Sequence, residues 1–259
     1  MHILMVGDIV GSPGRRLFKD LVPALRDTGR ADLVIANAEN AAGGRGLTPA
    51  LADELFAAGA DLLTLGDHAW DCKELIPHIE QEPRILRPAN FAPGCPGRGM
   101  HTIDSAHGPV TMINLVGRVF MPPAECPFLA CDRLLEPMGP RNHVILVDMH
   151  AEATSEKIAM GIHIEGRVTA VVGSHTHVQT ADEQLRPRET AYITDLGMTG
   201  PLDSILGRDK TAVLQRFVTG MPARFGVARG HATLQGVIIA AASDGRALGI
   251  ERINRCEAS

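Results

Sequence analysis

Apolar residues in this chain gather in short runs that end abruptly on a polar or ligand-bearing side chain. Residues 2–7 and Asp32–Asn37 are such runs, as is Asp61–Leu65, and each has the length and composition of a buried strand. Between them lie segments with helical spacing. Residues 15–28 carry Leu17, Leu21, Val22 and Leu25 on one stripe, with Pro23 as a potential kink. Thr48-Pro49 is an N-cap and first-turn signal for a helix running to Ala58 before Gly59, and Asp71–Glu80 is a third helical segment with an acidic first turn.

From Pro83 to Gly99, prolines and glycines make a loop-rich crossover with a short strand near Arg84–Arg87. The pattern then changes. His101–Asp104 and Val110–Val116 follow each other without a helix and predict an antiparallel pair; 118–127 is irregular, and 128–136 is helical. His143–Met149 is a buried strand, and Ala153-Thr154-Ser155-Glu156-Lys157 has the capping residues and first-turn acid of a helix start. Strands follow at 168–172, Glu189–Thr194, Ala232–Ala241 and Ala247–Asn254, with a helix at Lys210–Phe217 and an Asp244-Gly245 type I′ hairpin signal. The first half thus reads βαβαβα and the second adds antiparallel strands, predicting a mixed-sheet α/β sandwich in layers.

The strand ends carry the chemistry. Asp8 closes the first strand, Glu39 and Asn40 follow the second, Asp67 and His68 the third, and His150 ends the strand at 143–149. His175 and His177 stand two apart in Gly173-Ser174-His175-Thr176-His177; on an extended segment, i and i+2 side chains point to one side. Strands ending side by side would bring all these groups to one sheet edge, where open α/β folds place their ligands.

Composition narrows the field. At 259 residues with 45% hydrophobic content, the chain suits one domain spanning 1–259. A formal charge of −5, with one Trp and one Tyr, leaves no basic groove or stacking platform for long nucleic acid. Five cysteines without a CxxC pair argue against a disulfide framework or a zinc ribbon, and fit a reducing cytoplasmic setting. Asp8 interrupts the apolar amino terminus before signal-peptide length, and no run reaches membrane-span length. A homo-oligomer is compatible with this composition.

Asp8, Glu39, Asn40, Asp67, His150, His175 and His177 form a mixed nitrogen and oxygen donor set suited to Zn, Fe or Mn. Seven donors exceed one tetrahedral ion and would fill two bridged ions, which serve to clamp the oxygens of a phosphoryl centre. His68, adjacent to Asp67, is free to act as a general acid to a leaving oxygen; the plainer role is to orient Asp67. Arg45 and Arg118 lie in loops, where phosphate contact or simple solvation are both open.

The ordered set Gly7-Asp8, Glu39-Asn40, Gly66-Asp67-His68, His150 and Gly173-Ser174-His175-Thr176-His177 resembles the calcineurin-like metallophosphoesterase superfamily. More narrowly, Gly7-Asp8-Ile9-Val10-Gly11, Asn37-Ala38-Glu39-Asn40, His68-Ala69-Trp70-Asp71, Thr154-Ser155-Glu156-Lys157 and the segment from His175 to Asp182 resemble its YmdB branch. The resemblance implies a four-layer αββα sandwich and a two-metal phosphodiesterase hydrolysing 2′,3′-cyclic nucleotides by attack of a metal-bound hydroxide, with the 2′ oxygen leaving. It further implies Asp8, Asn40 and His177 on one ion, Asp67, His150 and His175 on the other, Glu39 bridging, His68 as acid, and iron as the favoured metal. Two departures stand out. Asp8-Ile9-Val10 lacks the histidine of the superfamily's DxH block, as the branch does, and Asp67 replaces the asparagine of GNH. The alternatives are a phosphomonoesterase on the same site, or a metal-dependent regulator that binds nucleotides or partner proteins without turnover.

Overall fold

A computed structural model describes residues 1–257. In chain order its elements are β1 (His2–Val6), β2 (Asp8–Ile9), α1 (Gly11–Asp27), β3 (Leu33–Asn37), α2 (Pro49–Ala57), β4 (Leu62–Thr64), α3 (Leu75–Ile79) and β5 (Ile85–Leu86). There follow β6 (Met100–Ser105), β7 (Gly108–Val116), α4 (Pro127–Leu135), β8 (Val144–His150), α5 (Thr154–His163) and β9 (Ala170–Ser174). The last part holds β10 (Gln184–Arg186), β11 (Thr190–Ile193), β12 (Met198–Pro201), α6 (Lys210–Thr219), β13 (Ala232–Ala241) and β14 (Ala247–Cys256).

These strands form two mixed sheets. The first runs β2-β12-β13-β1-β3-β4-β5, with β14 added beside β13. Within it β1, β3, β4 and β5 are parallel, while β13 lies antiparallel to β1 and to β14. The second runs β10-β11-β9-β8-β7-β6, parallel from β11 to β7 and antiparallel at both margins.

Alternation along the strands separates three layers of core. Leu4 and Val6 of β1, with Val34 and Ala36 of β3, face Leu17, Phe18 and Val22 of α1 and Leu55 of α2. Ile3, Met5, Leu33 and Ile35 point the other way, onto Met112, Val144, Leu146 and Val172 of the second sheet. On that sheet's far side Ile145, Val147 and Val171 meet Ala130, Cys131 and Leu135 of α4 and Met160 of α5. Helix, sheet, sheet, helix is therefore the order of layers. Two-sided burial of β1, β3 and β8 explains why they are apolar at nearly every position rather than alternating.

Three expectations need correction. The helix expected at Asp71–Glu80 is only Leu75–Ile79, because Pro77 has no N–H to donate to residue 73 and residues 68–74 form turns instead. The expected side-chain cap of α5 is absent: Ala153 is its N-cap, and Glu156 turns its carboxylate to the backbone N–H groups of Arg118 and Val119. The 244–245 hairpin is not type I′, since only Gly245 has positive φ, at 85°; its N–H closes a turn on Ala242 O at 3.1 Å beside a register shift at Ala240/Ala241. Strands β2, β10 and β12 are too short to carry a period and were not expected. The Thr48 cap is present, its hydroxyl accepting from Leu51 N at 3.3 Å.

Candidate metal centre

The carboxyl ends of β1, β3 and β4 from one sheet meet those of β8 and β9 from the other, and the predicted donors lie on or just beyond them. One ligand atom from each of Glu39, Asp67, His150 and His175 falls within 4.8 Å of all the others. His150 is the hub. Its Nε2 stands 2.9 Å from Glu39 Oε1, 3.1 Å from Asp67 Oδ1 and 3.1 Å from His175 Nδ1. Only glycine at position 66 allows this approach, because a Cβ there would occupy the place of His150 Nε2.

Behind the hub, His150 Nδ1 lies 2.9 Å from Ser174 Oγ, which donates to Asp148 Oδ1 at 2.6 Å; Thr64 Oγ1 donates to the other oxygen of Asp148 at 2.7 Å. This chain fixes the imidazole so that Nε2 faces the cluster.

Asp8, Asn40 and His177 make a neighbouring group. His177 Nε2 is 3.2 Å from Asn40 Oδ1 and 3.7 Å from Asp8 Oδ1. Asp8 is fully buried, and its Oδ1 has no hydrogen-bond partner among the described residues. An anionic oxygen in that position calls for a cation. The donors therefore fit a metal centre.

Electrostatics among the cluster's own side chains run in opposite directions. Burial pushes the Asp8 carboxyl up to about 7, with the nearby Glu39 charge adding to it. Burial would raise Glu39 and Asp67 as well, but contacts with His150, and for Asp67 also His175, hold both below the ordinary carboxylate range. His150 is held well above the usual histidine range; its burial opposes this, and the surrounding carboxylates outweigh burial. Burial lowers His177.

The two histidines of the last motif do not converge by strand alternation, as an extended segment would have it. β9 ends at Ser174, and His175 and His177 have φ of 100° and 63°, in left-handed backbone. The loop is held in that shape by Asp195, which accepts from Thr176 N at 3.1 Å and Thr176 Oγ1 at 2.8 Å and is paired with the buried Lys157 Nζ at 2.6 Å. Neither Lys157 nor Asp195 stood out in the sequence as a site residue.

His68 lies beside the cluster. Its N–H donates to Glu39 Oε2 at 2.9 Å, and its Nδ1 is 3.2 Å from Asp71 Oδ2 but 3.9 Å from Asp67 Oδ2. The ring is oriented by Asp71 rather than orienting Asp67. Both His68 and the cluster open onto a cavity of about 370 Å³ that Leu206, Arg208, Phe217 and Phe225 also line. Arg45 borders an adjoining cavity, whereas Arg118 lines neither. Sequence reasoning missed Arg208, Phe217 and Phe225, which come from the far end of the chain.

A two-sheet αββα sandwich with carboxylates, an amide and imidazoles gathered at its strand ends is the architecture of metallophosphoesterases. The chain matches the family described as YmdB-like protein over residues 4–253, and belongs to that family. It is 49% identical over 239 residues to the 2′,3′-cyclic-nucleotide 2′-phosphodiesterase of Bacillus subtilis (strain 168), covering 92% of this chain and 90% of the relative. Among solved structures, a hypothetical protein from Thermus thermophilus superposes with a TM-score of 0.94 at 41% identity, each chain covered in full. A novel phosphatase from Mycoplasma pneumoniae superposes with a TM-score of 0.93 at 31% identity, over 99% of this chain and 93% of that one. No helix among the described residues is long and apolar enough to cross a membrane.

Proposed function

We propose that this protein is a metal-dependent phosphodiesterase that opens 2′,3′-cyclic nucleotides to 3′-phosphates. The observation that carries the reading is the convergence of Glu39, Asp67, His150 and His175 within 4.8 Å, with Glu39 and His175 lining a cavity of about 370 Å³. Likeness to the Bacillus subtilis phosphodiesterase supports the substrate class.

Asp67, His150 and His175 would hold one ion and Asp8, Asn40 and His177 a second, with Glu39 between them; iron, manganese and zinc all suit these donors. Bound ions would acidify water and neutralise charge on the phosphoryl oxygens. The chain's own residues do the rest. The walls formed by Leu206 and Phe217 offer apolar faces to a base, and the buried carboxylates lie in a water-poor pocket where charge interactions are strong. Water gives up one proton to solvent and adds to phosphorus as hydroxide opposite the 2′ oxygen, the P–O2′ bond breaks with its electron pair on O2′, and His68 gives that oxygen a proton that it regains from solvent. Asp71, 3.2 Å from Nδ1, keeps the imidazole turned to the cavity.

The test is product analysis on metal-loaded protein supplied with 2′,3′-cyclic AMP, beside bis-p-nitrophenyl phosphate and p-nitrophenyl phosphate. The 3′-monophosphate as product, with diester turned over faster than monoester, is expected. Faster monoester hydrolysis would favour a phosphomonoesterase, and full metal content without turnover on any of the three would favour a binding role.

A further inference from the structure

Next to the metal cluster the surface opens into a cavity of about 620 Å³ whose wall is dominated by cations: Arg45, Arg208, Arg216 and Arg224, with His68 and Phe225. The arginines come from the glycine-rich loop after β3, from the loop before α6, and from α6 and the segment that follows it. Four of them around one cavity contrast with a chain whose formal charge is −5.

Their pairing is incomplete. Arg45 Nε meets Asp71 Oδ2 at 3.0 Å, but among the described residues Arg208, Arg216 and Arg224 have no carboxylate within ion-pair reach. Arg208 gives two of its nitrogens to the carbonyls of Gly43 and Gly44, at 3.4 and 2.5 Å. Arg216 lies over the ring of Phe225, 5.4 Å from its centre. A guanidinium offers five donors in a planar fork that matches phosphate, so each retains unused N–H groups. Burial, and then the neighbouring Arg45 charge, push the Arg208 guanidinium below its usual range, as expected where like charges crowd without a counter-ion.

His68, Arg208 and Phe225 line both this cavity and the one over the metal cluster. An anion held by the arginines is thus within reach of the same molecule whose phosphodiester lies at the cluster. Phe217, exposed at 79%, adds an aromatic face to the cavity over the cluster.

We propose that the arginine cavity is a second phosphate subsite, so that the preferred substrate carries another phosphoryl group on the 5′ side of the nucleoside bearing the cyclic phosphate. This rests on the phosphodiesterase reading of the neighbouring centre. The second group is either a terminal 5′-phosphate or the internal diester of a short oligonucleotide; both present the same oxygens to the arginine forks.

Calorimetric titration of the metal-loaded protein with product analogues tests it. Adenosine 3′,5′-bisphosphate should bind at least about tenfold tighter than adenosine 3′-monophosphate, the gain expected from one charge-assisted contact. In an R216A/R224A double variant, whose replaced residues are exposed, the two ligands should bind within about twofold of each other. The dinucleotide ApAp matching the bisphosphate would assign the subsite to an internal diester, and weaker binding of the dinucleotide to a terminal phosphate. Equal affinities in the unmodified protein, or a preference that survives the double substitution, would overturn the subsite. Turnover of 2′,3′-cyclic AMP, measured in parallel, reports separately on the phosphodiesterase reading.

Discussion

Asp67 presents Oδ1 to His150 Nε2 at 3.1 Å, so the carboxylate that replaces the resemblance's asparagine is turned into the cluster. With Asp67 replaced by asparagine, the loaded centre would carry one more unit of positive charge. Water there should become more acidic, while the ions lose an anionic ligand. Asp67→Asn is therefore expected to move the acidic limb of the pH–rate profile to lower pH and to weaken metal retention. A pH–rate series with metal content measured alongside decides it; a limb that stays put or rises at full occupancy contradicts the charge account.

Lys157 and Asp195 form an ion pair from which water is excluded, 2.6 Å between Nζ and Oδ2. Because Asp195 also clamps Thr176, between two histidines in left-handed backbone, the pair couples core stability to the site. Replacing Lys157 with methionine leaves a buried carboxylate unpaired, a loss of about 3–5 kcal/mol, or on the order of 10 °C in Tm for a chain of this size. Metal affinity should fall with it. Unchanged affinity beside a lowered Tm would confine Asp195 to the core.

Much of this was legible in sequence because buried strands end where ligands begin: Asp8, Asp67 and His150 close or follow apolar runs that need no tertiary information to recognise. The left-handed turns at His175 and His177 were not legible, since nothing in Ser-His-Thr-His marks positive φ, and the stabilising Asp195 reaches the loop only by tertiary packing. The arginine cavity was hidden for a related reason. Arg45 and Arg224 are nearly 180 residues apart, and the overall negative charge pointed away from any local cluster of cations. β2, β10 and β12 have too few residues to express a period.

Metal binding should release protons. Burial pushes Asp8 up to about 7 and the carboxylates hold His150 well above its ordinary range, so at pH 6 the metal-free protein keeps a proton on each. Both must leave before a cation can be held. Titrations at pH 6 in buffers of different ionisation enthalpy should show release of between about one and two protons per chain, with affinity rising toward higher pH. The sign for stability follows. Asp8, raised in the folded chain, favours the metal-free fold in acid, and this contribution is lost as pH climbs from about 4 to about 7; the metal-induced rise in Tm is thus expected to be larger at pH 8 than at pH 6. Binding enthalpies independent of buffer would contradict it.

His68 holds its ring by Asp71, 3.2 Å from Nδ1, and its backbone by Glu39, leaving Nε2 for the cavity. A proton donor matters in proportion to how poorly the leaving oxygen bears charge. His68→Ala should therefore slow 2′,3′-cyclic AMP by roughly a hundredfold or more, while esters of p-nitrophenol, which leave without protonation, are slowed much less. Asp71→Asn should move in the same direction with a smaller loss, since it replaces the carboxylate that holds Nδ1 but leaves an amide oxygen able to accept there. Rates on both esters, measured at equal metal content, separate the roles: a loss of the same size on each would make His68 a positioning residue, acting through the backbone contact to Glu39 rather than through its proton.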